Sequence, residues 1–156
     1  MVHNVDTASD TCGIFYHARV SVDDVVRAVA ESALSVDERL GFLELCEARS
    51  AEELLADRDR VEAHRRSIES AVESGADIEG ELADRIARAL GSLLTNAPRW
   101  SFVERRVLAG AVEYFIQSDD ADGDLRSDHG LEDDARVVAA VCDALGRNDL
   151  ATRLRP

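Results

Sequence analysis

The sequence predicts an all-α fold, a compact bundle of five to seven helices with a short extended segment ahead of it. Three observations carry that expectation. From Ser21 onward, aliphatic residues recur three and four positions apart, the spacing that lines one face of a helix. A start signal repeats: Ser35/Glu38, Ser50/Glu53 and Ser101/Glu104 place an acid three positions after a serine, and Ser21/Asp24 approximates the pattern. In such a capping box, two side chains satisfy two amides that the first turn leaves without partners. Finally, only Ile14 to Val20 offers a candidate strand or tether. One strand has nothing to pair with, so either reading leaves the fold helical.

Each element follows in order. Residues 1–20 form a loose N-terminal arm, polar and without a period up to residue 13. The single helical domain spans 21–156. Its first helix is expected at 22–34, with Val22, Val25, Val26, Val29 and Ala33 on one face. The second covers 36–47 and turns Val36, Leu40, Leu43 and Cys46 inward. The third, 51–73, carries Leu54, Leu55, Val61, Ile68 and Val72. Its mixed-charge stretch 57–66 reads as a solvated face laced with ion pairs one turn apart. Gly75 is placed to stop this helix and Asp77 to cap the next. The fourth, 78–95, shows Ile78, Leu82, Ile86, Leu90, Leu93 and Leu94, and Asn96 to Pro98 breaks it. The fifth, 102–116, has the broadest apolar stripe and is expected to be the most buried. Trp100 precedes it and is expected to pack as a lid on the bundle. After the polar stretch 117–130, a sixth helix covers 131–145 and ends at Gly146, and 148–154 leave room for one more turn.

Composition narrows the function. The 156 residues carry a net charge of −14. That field repels nucleic acid and anionic membrane surfaces, and the longest basic runs are Arg65-Arg66 and Arg105-Arg106. All 18 basic residues are arginine. A GC-rich genome or a saline cytoplasm explains that bias, and a melting curve against KCl separates the two. Cys12, Cys46 and Cys142 are far apart and form no CxxC. That spacing argues against a disulfide framework or a zinc site and for small buried hydrophobes in a reducing, cytoplasmic compartment. No signal peptide is read at the start, and no window holds 18 consecutive apolar residues.

One constellation could bear chemistry. Asp119, Asp120, Asp122, Asp124, Asp128, Glu132, Asp133 and Asp134 crowd one short segment. Crowded carboxylates repel unless cations or arginines compensate them, and Ca²⁺ or Mg²⁺ prefer such oxygens. The calcium-loop template fails, however. Asp120, Asp122 and Asp124 fit its first three acidic positions, but Leu125 stands where glycine is required and Leu131 where the last acid belongs. A solvated acidic loop followed by an acid-rich helix start, where Asp133 and Asp134 oppose the helix dipole, accounts for the segment better than a cation site does. His129 lies inside it, while His3, His17 and His64 form no ligand-spaced pair. The sequence has no GxSxG, Walker A or GxGxxG motif.

The segment Tyr114-Phe-Ile-Gln-Ser-Asp-Asp-Ala-Asp-Gly-Asp124, followed by Gly130-Leu-Glu-Asp-Asp134-Ala, resembles the core of the YkvA-like (DUF1232) family. That family's pattern is Tyr-Phe, then Pro-x-Asp-x-Ile-Pro-Asp, then Gly-x-x-Asp-Asp-Ala, and the spacing agrees without a gap. The two prolines fall on Ser118 and Gly123, and the isoleucine on Asp122, so the turn chemistry differs. The resemblance spans residues 111–145. It implies a small helical domain whose activity is not settled, and Asp120, Asp124, Asp133 and Asp134 correspond to the family's recurrent acids. Membrane-associated versions of the segment occur in the family, but this chain is too polar there to follow them.

The reading of function is accordingly a non-catalytic protein-interaction or regulatory module, with a protein partner or a second copy as its ligand and no resident cofactor. The alternative is a divalent-cation sensor or hydrolase that uses 119–134, with Asp120, Asp124, Asp133 and Asp134 as metal ligands. In a third, structural reading, Asp120 or Asp124 caps a helix or pairs with an arginine such as Arg105, Arg106 or Arg136.

Overall fold

Hydrogen-bond demand at helix ends explains where this chain starts and stops its helices. The computed structural model describes residues 22–117 and 130–155. The helices are α1 (Val22–Ala30), α2 (Val36–Glu44), α3 (Ala51–Glu73), α4 (Gly80–Thr95), α5 (Phe102–Gln117), α6 (Gly130–Ala144) and α7 (Asn148–Leu154), with a 3₁₀ turn at Ala97–Arg99. There is no strand among the described residues. The expectations for residues 1–21, including the Ser21/Asp24 box, Cys12, His3 and His17, lie outside the described residues, as do those for 118–129.

The three outright capping boxes form. Ser35 accepts from the Glu38 amide at 3.2 Å and Glu38 accepts from the Ser35 amide at 2.6 Å. Ser50 and Glu53 repeat this at 3.1 and 2.7 Å, and Ser101 and Glu104 at 3.3 and 2.6 Å. Both glycine stops form too. Gly75 has φ +94° and Gly146 φ +71°, a region that side chains disfavour. The Ala76 amide then reaches the Ala71 carbonyl at 3.0 Å, and the Arg147 amide reaches that of Cys142 at 2.7 Å. These bonds close the α3 and α6 ends as Schellman motifs.

Four expectations need correction. Helix α1 ends at Ala30 instead of 34. The Ser32 hydroxyl and amide both bond to the Val29 carbonyl, a local alternative that competes with the next helical turn and lets Leu34 enter the core. Helix α4 starts at Gly80 with Glu79 as its N-cap and no side-chain cap bond, so Asp77 does not cap it. In α2 the expected face is out of phase. Val36 is 65% and Leu40 56% exposed, while Glu38, Phe42 and Cys46 are buried. The large Phe42 ring fixes the phase, and its neighbour one turn earlier, Glu38, is buried because its charge is compensated. In α3, Leu55 and Val72 are exposed, whereas Asp57 and His64 are buried among Leu54, Val61 and Ile68. The stretch 57–66 is therefore only partly solvated.

Helix α5 occupies the middle, packing against α1, α2, α3, α4 and α6. Seven consecutive residues, Val107 to Glu113, are buried, which requires neighbours on every side. Gly110 admits the closest of them: a Cβ there would lie 2.7 Å from Cys46 Sγ and 2.9 Å from the Phe42 ring. Helix α6 lies beside it and touches α1, α2, α4, α5 and α7. Trp100 packs half-buried against the core and donates its indole N–H to the Leu93 carbonyl at 2.9 Å, as a lid residue should. No described helix is long and apolar enough to cross a membrane.

Candidate functional site

Three features of the bundle combine charged or apolar groups in ways that a plain core does not need. Two are polar ties at the C-terminal end of α5. The third is a groove along α6.

The first tie gathers Arg49 from the loop before α3, Asp57 and Arg60 from α3, and Glu113 from α5. Arg49 donates to both carboxylates, one through each terminal nitrogen. Arg60 reaches Asp57 at 2.8 Å and Glu113 at 2.6 and 3.2 Å. Two positive and two negative groups thus close a ring. The Asp57 and Glu113 side chains are only 7% and 11% exposed, a burial that single carboxylates resist unless paired. Bonds from the Arg60 guanidinium outweigh burial and, with Arg49, hold the Glu113 carboxyl below its ordinary range. One turn along α3 from Arg60, the buried His64 ring meets Phe115 edge-on, with centroids 4.7 Å apart.

The second tie joins α2 to α6, near the next α5 residue, Tyr114. Glu38 of α2 uses Oε2 for its own helix start and gives Oε1 to Arg136 of α6, at 2.7–2.8 Å. Burial works against the charge on Glu38, but the Ser35 amide and the Arg136 guanidinium outweigh it and lower its pKa. Arg136 also pairs with Asp133 and, at 3.9 Å, with Glu132. Burial pushes the Asp133 carboxyl up, Arg136 pulls it down, and the neighbouring Glu38 charge adds to the rise. Tyr114 of α5 feels the same field. Burial, reinforced by Asp134, Asp133 and Glu38, takes its phenol up to about 12.

These positions bear on the acids singled out from sequence. Asp133 and Asp134 both sit in the opening of α6, where a negative charge opposes the helix dipole favourably. Asp133 is partly exposed and bound to Arg136, whereas Asp134 is 1% exposed. Asp120 and Asp124, and with them any pairing they make with an arginine, lie outside the described residues. Arg136 pairs with Glu38, Asp133 and Glu132. Arg105 donates to the Trp100 carbonyl and Arg106 to the Cys46 carbonyl. Among the described residues no group of three or more His, Cys, Asp or Glu is arranged to hold a metal ion. Cys46 and Cys142 are both buried, and burial takes their thiols up to about 11 and about 12. Neither is poised as a nucleophile.

The third feature is a groove of about 740 Å³ bounded by the α1–α2 loop, α4, α6 and α7. Leu34, Leu82, Ala135, Ala139, Ala140 and Leu154 supply its apolar wall. Arg85, Arg136 and Arg155, with Glu79 and Glu132, form a charged rim. The six apolar wall residues are only 3–6% exposed, so the wall is a lightly uncovered edge of the core, with Ala135 and Ala139 one turn apart on α6. Sequence reasoning missed this surface. Its signal was available in α6, where 135–142 is apolar except for Arg136 and so is wider than the single face a two-layer contact needs.

Compared with family models, with curated proteins and with solved structures, the chain matches none.

Proposed function

We propose that this domain is a non-catalytic interaction module that seats an apolar segment of a protein partner in the α6 groove. The groove itself carries the reading. It has the size of a ligand site, its wall is apolar, and its rim offers charges of both signs to orient what enters. Helix-in-groove recognition uses this arrangement. The buried acids support the same reading by what they already do. Glu38, Asp57 and Glu113 are each bound by arginine, which leaves them as ties between helices. The YkvA-like resemblance over 111–145 becomes part of the proposal, because α6 supplies one wall of the groove from within that segment.

Panning a random peptide library on the full chain tests it. The expected result is enrichment of peptides with two or three large apolar residues, lost in Ala139→Arg, which fills the groove, and altered in the exposed rim variant Arg85→Glu. Circular dichroism checks that both variants keep their helix content. Enrichment that survives both substitutions would place the binding surface elsewhere and overturn the reading.

A second reading keeps a divalent cation on Asp120, Asp124, Asp133 and Asp134. Its support is the meeting of Asp133 with Glu38 at the start of α6, where carboxylate charge is crowded. Calorimetry with Mg²⁺, Mn²⁺ and Ca²⁺ tests it. Heat that disappears in Asp133→Asn/Asp134→Asn supports the site, and no heat removes it.

A further inference from the structure

We infer that the outer face of α3 and α4 seats a second copy of this chain, related to the first by a two-fold axis over Gly91. The inference does not depend on the α6 groove. Three observations carry it.

The first is shape. Helices α3 and α4 run antiparallel along each other: Val72 lies beside Gly80 near one end, and Arg65 reaches Asp84 at 3.0 Å further along. Seven residues beyond that bond, about two turns, Arg58 of α3 comes level with Gly91 of α4. Both line an open crevice of about 450 Å³ between the helices. Val61 and Ala87 are its buried floor, and Leu55, Arg58 and Asp59 stand exposed along its α3 lip. Gly91 forms the opposite side. A Cβ on it would meet nothing within 4 Å, so alanine, a far better helix former, fits there without a clash. The glycine thus serves no packing inside the chain, and it leaves bare α4 backbone that another helix can approach closely.

The second is charge complementarity. Arg58 and Asp59 are adjacent, exposed and opposite in sign, and neither has an ion-pair partner among the described residues. The next arginines are engaged, Arg65 with Glu62, Glu69 and Asp84, and Arg66 with Glu62. A two-fold axis between positions 58 and 59 sets two α3 helices antiparallel. Arg58 of each copy then meets Asp59 of the other, the reciprocal pairing that a two-fold interface requires. Leu55 of one copy comes level with Glu62 of the other, at the far end of the crevice.

The third is the balance of the whole face. The chain carries a net charge of −14, which opposes self-association over most of its surface. On this face Arg58, Arg65, Arg66 and Arg88 are matched by Asp59, Glu62, Glu69 and Asp84. Two copies therefore meet here with little net repulsion, and a strongly basic partner finds no net charge to attract it. A strip as long as α4, about 24 Å, and two helices wide, about 20 Å, offers roughly 500 Å² per copy. The pair buries roughly 1,000 Å², the lower limit for a specific interface. With a buried floor and a charged lip, the contact rests on fit and charge more than on apolar area, as reversible interfaces do.

Sedimentation equilibrium of the full chain tests it, at about 0.15 M salt, where charges more than about 8 Å apart are screened. The expected result is a monomer–dimer equilibrium with a micromolar Kd. Gly91→Arg, which puts a long charged side chain on the axis, should weaken the dimer at least about tenfold, and so should Asp59→Arg, which sets four arginines against one another. Arg58→Asp/Asp59→Arg exchanges the two signs and should return Kd to within about threefold of the parent. A merely destabilised α3 would give no such recovery, and circular dichroism checks that every variant keeps its helix content. A parent chain that stays monomeric at roughly 1 mM, or a dimer that all three variants leave unchanged, overturns the inference. So does a double exchange that is as weak as Asp59→Arg alone.

Discussion

Arg49 and Glu113, sixty-four residues apart in sequence, are bound through the interior edge of the bundle, and that bond fastens the loop before α3 to the central helix. Asp57 and Arg60 complete the ring. Four charges thereby fix how the loop before α3, α3 itself and α5 meet, at the edge of a core built mostly of aliphatic side chains.

Replacing one member should therefore cost more than a surface ion pair does. Glu113→Gln leaves Arg49 and Arg60 sharing Asp57 alone, with Arg49 and Asp57 largely out of water. The expected loss is about 2–4 kcal/mol by urea denaturation. An Arg49→Gln/Glu113→Gln double-mutant cycle should return a coupling above about 1 kcal/mol. Additive losses would show that the ring has no joint role.

The pH dependence has two opposing parts. Glu38 and Glu113 have pKa values lowered by their partners. Their stabilisation is thus present above the ordinary value of 4.5 and lost as pH falls through the lowered folded values. Asp133 is raised, so its ionisation works against folding and acidification relieves it. At neutral pH, Glu38→Gln should destabilise by about 1–3 kcal/mol, while Asp133→Asn should leave the melting temperature unchanged or higher although an ion pair is lost. A large loss in Asp133→Asn would reverse the assignment.

The phase of α2 gives a sharp contrast between neighbours. Leu40→Glu alters a residue that is 56% exposed and should stay within about 0.5 kcal/mol of the parent. Phe42→Ala, two residues on, removes a fully buried ring and should cost about 3–5 kcal/mol. Thermal melts of the two variants decide the matter, and similar effects would restore the face expected from sequence.

Gly110→Ala tests the close approach of α5 to the end of α2. Alanine favours the helix by about 1 kcal/mol, but its Cβ would meet Cys46 Sγ at 2.7 Å and the Phe42 ring at 2.9 Å. Overpacking of this kind costs about 1–3 kcal/mol, so net destabilisation is expected. Cys46→Ala should recover part of it, which a thermal melt of the double variant measures.

How far the sequence revealed this molecule follows from which physical rules are local. Capping boxes and glycine stops act within six residues, and the Ser35, Ser50, Ser101, Gly75 and Gly146 signals all formed as read. The stripes of α4 and α5 were legible because closely spaced apolar residues define them, although Phe102, at the start of the α5 stripe, is 54% exposed. Helix α2 was misread because Val36 and Leu40 look like a face until Phe42 and Glu38 are weighed together, and Glu38 is acceptable inside only because Arg136, ninety-eight residues away, compensates it. Asp57 was read as solvated for the same reason, since its partner Arg49 and its neighbour Glu113 come from other elements. The groove is a property of four elements at once, and no single stretch of sequence announces it. Asp133 and Asp134 were singled out as possible ligands, and the structure shows Asp133 tied to Arg136 and Asp134 buried at the start of α6.

The central claim is that the α6 groove is the binding surface. Backbone amide shifts of the full chain during titration with the library-selected peptide test it most directly. The account predicts saturable changes confined to residues around Leu34, Leu82, Ala135, Ala139 and Leu154. Changes centred instead on the exposed apolar residues Val36, Leu40 or Phe102, with the groove residues unmoved, would contradict it.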